Sequence, residues 1–227
     1  MSFNIAIDGP AGAGKSTIAR RLAEKISFIY VDTGAMYRAM AYYFLTHQIS
    51  AEDEDALRKA CDDIQIELSY RDGVQNVILN GEDISGKIRK EEVGNMASAT
   101  SGYSFVREKL LSLQQDLAAR NNVIMDGRDI GTCVLPDAQL KVYLTAGVYT
   151  RAMRRYKELT EKGVACDLDE IAKDIKERDY RDMHREIAPL KAAKDAEVLD
   201  SSDMDIDQVV DAIYGMAVRA GLSSELM

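Results

Sequence analysis

The sequence has no tryptophan, three prolines, two histidines and three cysteines in 227 residues. Cys61, Cys133 and Cys166 are odd in number and share no C-x-x-C spacing. That argues against a disulfide framework or a zinc site and for a reducing compartment. No stretch of about 18–20 apolar residues occurs, so no membrane-spanning helix is expected. The N-terminus, Met1 to Asp8, lacks a basic region followed by an apolar one, so no signal peptide is expected and the expected location is cytoplasmic. Positive charge is also scarce: 29 Lys and Arg stand against 38 Asp and Glu, a net −9. A field of that sign repels nucleic acid. A local arginine cluster still holds a small phosphorylated ligand within a Debye length of about 8–10 Å. What is present is an ordinary globular share of hydrophobic residues, 46%, in a chain long enough to bury roughly 70% of its unfolded surface around one core.

The pattern alternates strands and helices. Ile5 to Asp8 is an apolar run ending in a glycine-rich turn, as a buried parallel strand does. Ile18, Leu22 and Ile26 then share one helix face, Phe28 to Val31 reads as a strand, and Met36, Met40 and Phe44 mark a helix over Ala35 to Leu45. Val106, Leu110, Leu113 and Leu117 mark another helix. Val123 to Met125, Val142 to Leu144 and Val198-Leu199 complete a set of strands, and Ile206 to Ile213 carries the last helical pattern. Strands separated by helices of this length predict right-handed crossovers and a parallel sheet covered on both faces. One stretch differs. Ile64 to Tyr70 alternates apolar and polar residues, followed by Asp72-Gly73, Val77 to Leu79 and Asn80-Gly81, which are hairpin signals. They predict a small antiparallel insertion over about 62–100, with a decorated loop as the plainer alternative. Ser50 and Asp53 read as a capping arrangement for a helix over Asp55 to Cys61.

Gly9, Pro10, Ala11, Gly12, Ala13, Gly14, Lys15 and Ser16 fit G-x-x-x-x-G-K-[ST] between a strand and a helix, with Thr17 following. Glycines let backbone N–H groups turn around a phosphate, and the helix start adds its positive dipole end. Lys15 can reach the β- and γ-phosphates of ATP, and the Ser16 hydroxyl suits Mg²⁺. No guanine-reading N/T-K-x-D occurs, so a GTP switch is disfavoured and a small-molecule kinase needs a second anion site.

Arginines supply candidates. Arg38 follows the second strand and Arg128 follows Met125, at the strand ends where open parallel sheets bind ligands; each reads either as a phosphate anchor or as a surface salt bridge. Arg178, Arg181, Asp182 and Arg185 fall on one helix face, and Arg151, Arg154 and Arg155 form a similar group. With Glu161-Lys162-Gly163 between them, these helices read either as a lid closing on a polyphosphate or as a solvated, salt-bridged face.

Taken together, GPAGAGKST, DTGAMYR, LNGEDIS, DGRDIGT-x-V-x-P-D-A and IKERDYRD-x-x-R-x-x-AP-L resemble the bacterial cytidylate kinases, in order and nearly end to end. The resemblance implies an α/β fold: a P-loop NTPase-type, five-stranded parallel sheet covered by helices, with a small antiparallel monophosphate-binding insertion and a short helical lid. It implies one domain over 1–227, with core 1–61, 101–147 and 187–227, insertion about 62–100, and lid and basic helices about 148–186. The implied activity is transfer of the γ-phosphoryl group of ATP to CMP or dCMP with Mg²⁺, by a monomer. Ser98, Arg107 and Asp129 then read cytosine, Arg178 and Asp182 hold the sugar, Arg38, Arg128 and Arg185 hold the acceptor phosphate, and Thr33 and Tyr37 match the loop beside the nucleotide. The chemistry agrees, since cytosine offers an exocyclic amino donor to a carboxylate such as Asp129 where uracil offers a carbonyl. Lys15, Arg128, Arg178, Arg151 and Arg155 are the expected catalytic groups around the migrating phosphoryl, with Ser16 at the metal. Asp126 either supports that metal through water or is structural. A UMP-preferring kinase, and a nucleotide-dependent binding protein with a disused acceptor site, are the alternatives.

Overall fold

The computed structural model describes residues 2–71, 73–223 and 226. In chain order the elements are β1 (Asn4–Asp8), α1 (Lys15–Ile26), β2 (Ile29–Asp32), α2 (Thr33–Thr46), α3 (Glu54–Asp63), β3 (Ile66–Arg71), β4 (Val74–Leu79) and β5 (Glu82–Asp83). There follow α4 (Glu91–Thr100), α5 (Ser104–Arg120), β6 (Val123–Gly127), a π-helical turn (Ile130–Val134), β7 (Leu140–Thr145), α6 (Val148–Glu161), α7 (Leu168–His184), β8 (Glu197–Asp200) and α8 (Ile206–Arg219).

The main sheet has the order β2-β6-β1-β7-β8, and every pair in it is parallel. Because side chains alternate across a strand, each strand feeds two cores. Ile5 and Ile7 of β1 and Ile124 of β6 pack with Ile18, Leu22 and Ile26 of α1 and Val209, Val210 and Ile213 of α8. Ala6, Val123 and Met125 face the opposite way, against Met36, Met40 and Phe44 of α2 and Val106 and Leu110 of α5. That two-faced burial accounts for the continuous apolar runs in the sequence.

The second sheet is antiparallel, in the order β3-β4-β5. Asn80 (φ 49°) and Gly81 (φ 85°) make its second turn, both in the left-handed region that a two-residue hairpin favours. Asp72, of the first predicted turn, lies outside the described residues. Val77, Leu79, Ile84 and Ile88 of this segment enter the same core as α2, and Gln75 ties it to the main sheet. Its carboxamide accepts the Asp32 N–H at 2.9 Å and donates to the Asp32 carbonyl at 3.3 Å.

Two boundaries differ from the periodicity reading. Strand β2 starts at Ile29, and α2 begins at Thr33 because the Asp32 side chain caps it, accepting the Ala35 N–H at 2.9 Å. Thr33, Tyr37 and Arg38 therefore project from a helix. Asp53 caps α3 through the Ala56 N–H, while Ser50 bonds Glu52 locally. No helix among the described residues is long and apolar enough to cross a membrane.

Candidate active site

The carboxyl ends of β1, β2, β6 and β7 converge on the glycine loop. Its backbone is dictated by space: a Cβ on Gly9 would stand 2.0 Å from the Leu144 carbonyl oxygen. Lys15 opens α1 and is buried, its Nζ donating to the Pro10 carbonyl at 2.8 Å. Burial first, then the Arg128 charge, pushes this ammonium well below its ordinary range, against the pull of Asp126 and Asp8. Ser16 Oγ, on the exposed side of the same turn, donates to Asp126 at 2.9 Å, and Tyr30 donates to the other Asp126 oxygen at 2.8 Å. Burial and the nearby Asp32 raise the Asp126 carboxyl to about 6. A buried carboxylate beside an exposed hydroxyl at a helix N-terminus is a donor set that suits a hard cation shared with phosphate oxygens.

Across from the loop, guanidinium groups outnumber their carboxylates. The Arg178 Nε is buried without a partner, and among the described residues this side chain forms no ion pair. Burial and the charges of Arg128, Arg38 and Arg181, opposed by Asp182, lower it to about 10. Arg128 Nε donates to Asp182 at 2.8 Å. Burial works to raise the Asp182 carboxyl, but Arg128 and Arg178 hold it below its ordinary value. Arg38, from α2, meets the Ile88 carbonyl at 3.3 Å and feels Arg89, Arg155 and Arg128 as like charges. Mutually repelling cations around a gap describe a place for a polyanion.

A second cluster adjoins it. Asp129 is buried and pairs with Arg107, and with Arg185 at 3.4 Å. Burial raises its carboxyl although both arginines oppose that. Arg107 also lies over the Tyr37 ring, 5.6 Å from its centroid, and burial pushes the Tyr37 hydroxyl up to about 12. Ser98 Oγ is buried with no partner among the described residues, a hydroxyl of the kind a ligand satisfies. Thr33 Oγ1, by contrast, donates to the Asp126 carbonyl at 2.7 Å.

The lid arginines divide. Arg151 is buried under the glycine loop: Nη1 donates to the Ala11 carbonyl at 2.8 Å, Nε to Ala146, and Nη2 pairs with Asp179 of α7 at 2.7 Å. Arg155 is exposed and pairs with Glu158 at 3.0 Å. Arg154 holds the loop after β8, donating to the Ser201 carbonyl at 2.6 Å. On α7, Arg178 and Asp182 turn inward and Arg181 is exposed. Arg185 lies just past the helix end, where Nε reaches the Ala188 carbonyl at 2.7 Å. Sequence reading missed Asp179, Ser101, which accepts from Arg107 and Arg185, and Asp8. Only Asp8 left a signal, a charged residue closing a buried apolar strand.

Asp8 makes stability depend on pH. Burial lifts its carboxyl from 3.8 to about 6, against bonds from Gly131 and Ile130. A carboxyl raised on folding stabilises the fold below pH ~4 and loses that contribution as pH rises through ~6, on the order of 3 kcal/mol. Asp182 and Glu158, held below their ordinary values, lose theirs only in stronger acid. The Tm of the nucleotide-free protein is therefore expected to rise from pH 7.5 to pH 5, and Asp8→Asn to flatten the slope. Equal slopes in calorimetry would contradict this.

The family model for cytidylate kinase matches residues 5–219. Similar proteins are the cytidylate kinases of Caldicellulosiruptor saccharolyticus (50% identical, covering 93% of both chains), Shouchella clausii (49%; 94% of this chain and 95% of that one) and Streptococcus pneumoniae (48%; 96% and 98%). Among solved structures, an uncharacterized protein from Eubacterium ventriosum shares the fold at 13% identity, with a TM-score of 0.55 over 96% of this chain and 99% of that one.

Proposed function

Because the chain belongs to the cytidylate kinase family, we propose that its glycine loop seats ATP and its arginine-lined gap seats the monophosphate. The protein is an ATP-dependent (d)CMP kinase, transferring the γ-phosphoryl group of ATP to CMP or dCMP. The observation that carries the site assignment is the buried Arg178 Nε, without a partner among the described residues, beside Arg128: the two cations share the Asp182 carboxylate, which leaves positive charge for an incoming anion.

Gly9 through Thr17 wrap the ATP phosphates, every residue but Pro10 having a backbone N–H to offer, and Lys15 leaves the Pro10 carbonyl for the β- and γ-phosphates. Arg38, Arg128 and Arg185 hold the acceptor phosphate; Arg178 and Asp182 hold the ribose. Arg128, Arg178 and Arg155 surround the γ-phosphoryl in transit, while Arg151 acts from beneath by fixing the Ala11 carbonyl. Phosphoryl transfer needs alignment and charge stabilisation rather than covalent help. Mg²⁺, when bound, would supply neutralisation of the charge that develops on the phosphates, and Ser16, supported by Asp126, is the residue that would hold it. Tyr37 and Thr33 line the base side. Asp129 accepts the cytosine amino group while keeping its arginines, since a carboxylate has about four acceptor sites, and Ser98 and Arg107 donate to the ring's O2 and N3.

The insertion over about 62–100 and the lid over 148–186 close on a core formed by 1–61, 101–147 and 187–227. A monomer in the cytoplasm fits a lid that must swing freely and three unpaired cysteines.

The test is a coupled assay with ATP and CMP, dCMP, UMP or AMP. CMP and dCMP are expected to be preferred, and UMP preference would overturn the base-reading assignment. In Asp129→Ala the ratio of kcat/KM for CMP over UMP is expected to fall about 100-fold, because a site built around a substrate N–H discriminates by that order or more. An unchanged ratio would remove Asp129 from the base site.

A further inference from the structure

Asp8 stands apart from both substrates' contacts as assigned above, yet its carboxylate is 4% exposed and fully used. One oxygen accepts the Ile130 N–H at 2.8 Å and the other accepts the Gly131 N–H at 2.7 Å. Those two N–H groups open the π-helical turn, whose own bonds begin only with Cys133 N and Val134 N on the Asp129 carbonyl, at 2.9 and 3.3 Å. The first donors of any helical turn lack partners inside it. Here the cap is not local: it comes from the end of β1, 122 residues upstream.

What this cap fixes is the residue just before the turn. Asp129 has φ −147° and ψ 26°, outside the regular helix and strand regions, and its backbone is tied to the turn through its carbonyl, the acceptor of Cys133 N and Val134 N. The turn is confined on its other side as well. A Cβ on Gly131 would lie 3.2 Å from the Lys141 side chain and 3.4 Å from the Asp8 carboxylate. On the chain, Asp8 is followed directly by Gly9, the first residue of the glycine loop, whose position against the Leu144 carbonyl leaves no slack. One carboxylate thus joins the loop assigned to ATP to the turn that aims Asp129.

We infer that Asp8 is a positioning residue for base selection: by capping the 130–131 backbone it holds the Asp129 carboxylate where the cytosine amino group arrives. The inference rests on the reading of Asp129 as base reader. It adds that selectivity depends on a residue that touches no part of the nucleotide.

The experiment compares wild type, Asp8→Asn and Asp129→Ala in steady-state assays with CMP and UMP at saturating ATP, and with ATP varied at saturating CMP. An Asn at position 8 keeps one acceptor and sets an amide N–H against the second backbone N–H. A misplacement on the ångström scale costs reactivity by about 10²-fold in aligned sites. Asp8→Asn is therefore expected to raise KM for CMP about tenfold and to lower the CMP over UMP ratio about tenfold, with KM for ATP within about twofold of wild type. A purely structural Asp8 would lower Tm and the active fraction equally for both acceptors and leave the ratio alone, and that result overturns the inference. If Asp129→Ala loses selectivity while Asp8→Asn keeps it, the inference alone falls; if Asp129→Ala keeps it, the base-reading assignment falls with it. Should Asp8→Asn not fold, Asp8→Thr, with a single hydroxyl acceptor in a β-branched side chain of similar size, is read against the same ratio.

Discussion

Replacing Arg178 by Gln is expected to lower kcat/KM for CMP about 10³-fold while raising the Tm of the nucleotide-free protein. Removing a charge that acts on a migrating phosphoryl group costs on this order. The stability gain follows from the unliganded site. The Arg178 Nε is buried without a partner, and burial together with Arg128, Arg38 and Arg181 lowers the guanidinium to about 10. Holding it charged at neutral pH therefore opposes folding, although the Asp182 charge helps. Asp182 keeps Arg128 at 2.8 Å when Arg178 is gone, so the substitution strands no carboxylate. An activity loss under tenfold, or a clear drop in Tm, would mean that this cation is a fold-stabilising group and not a tensioned anion site.

The parts of the molecule that can be read from the chain alone are those whose causes are local. The glycine loop was legible because its requirements are local: a strand end, glycines where side chains collide, and a helix start within eight residues. Helices α1 and α5 were legible because one apolar face repeats at helical spacing. The start of α2 was not, because the cap that begins it is a side-chain bond from Asp32 to Ala35 that competes with the strand reading of the same residues. Arg151 and Arg155, four residues apart, looked equivalent. The partner that separates them is Asp179 on another helix, which periodicity along one helix cannot reveal. Ser98 was named only through family resemblance; its unsatisfied hydroxyl is visible only once α4 is packed. Asp8 left a signal as a charge closing a buried strand, but not its role, because its two partners, the Ile130 and Gly131 N–H groups, lie more than 120 residues further along the chain.

Lys15→Met is expected to reduce turnover at least 10³-fold with CMP, with the Tm of the nucleotide-free protein within a few degrees of wild type. Lys15 occupies a buried position at the head of α1, where its ammonium donates to the Pro10 carbonyl. Its ammonium is suppressed by burial and by Arg128, so the incoming triphosphate is what restores its charge to full effect. A Met of similar length fills the space but offers nothing to the β- and γ-phosphates, and the loss falls on the transition state, where charge spreads over the phosphoryl oxygens. There is a second consequence. Lys15 is one of the groups drawing down the carboxyls of Asp8 and Asp126, both of which stand at about 6. Without it both rise further, so the pH at which the nucleotide-free protein loses their stabilising proton moves upward. Calorimetry from pH 5 to 8 should show that midpoint displaced to higher pH in Lys15→Met. Full turnover in the variant, or a midpoint that stays put, would place Lys15 outside the charge network from which the ATP site has been built.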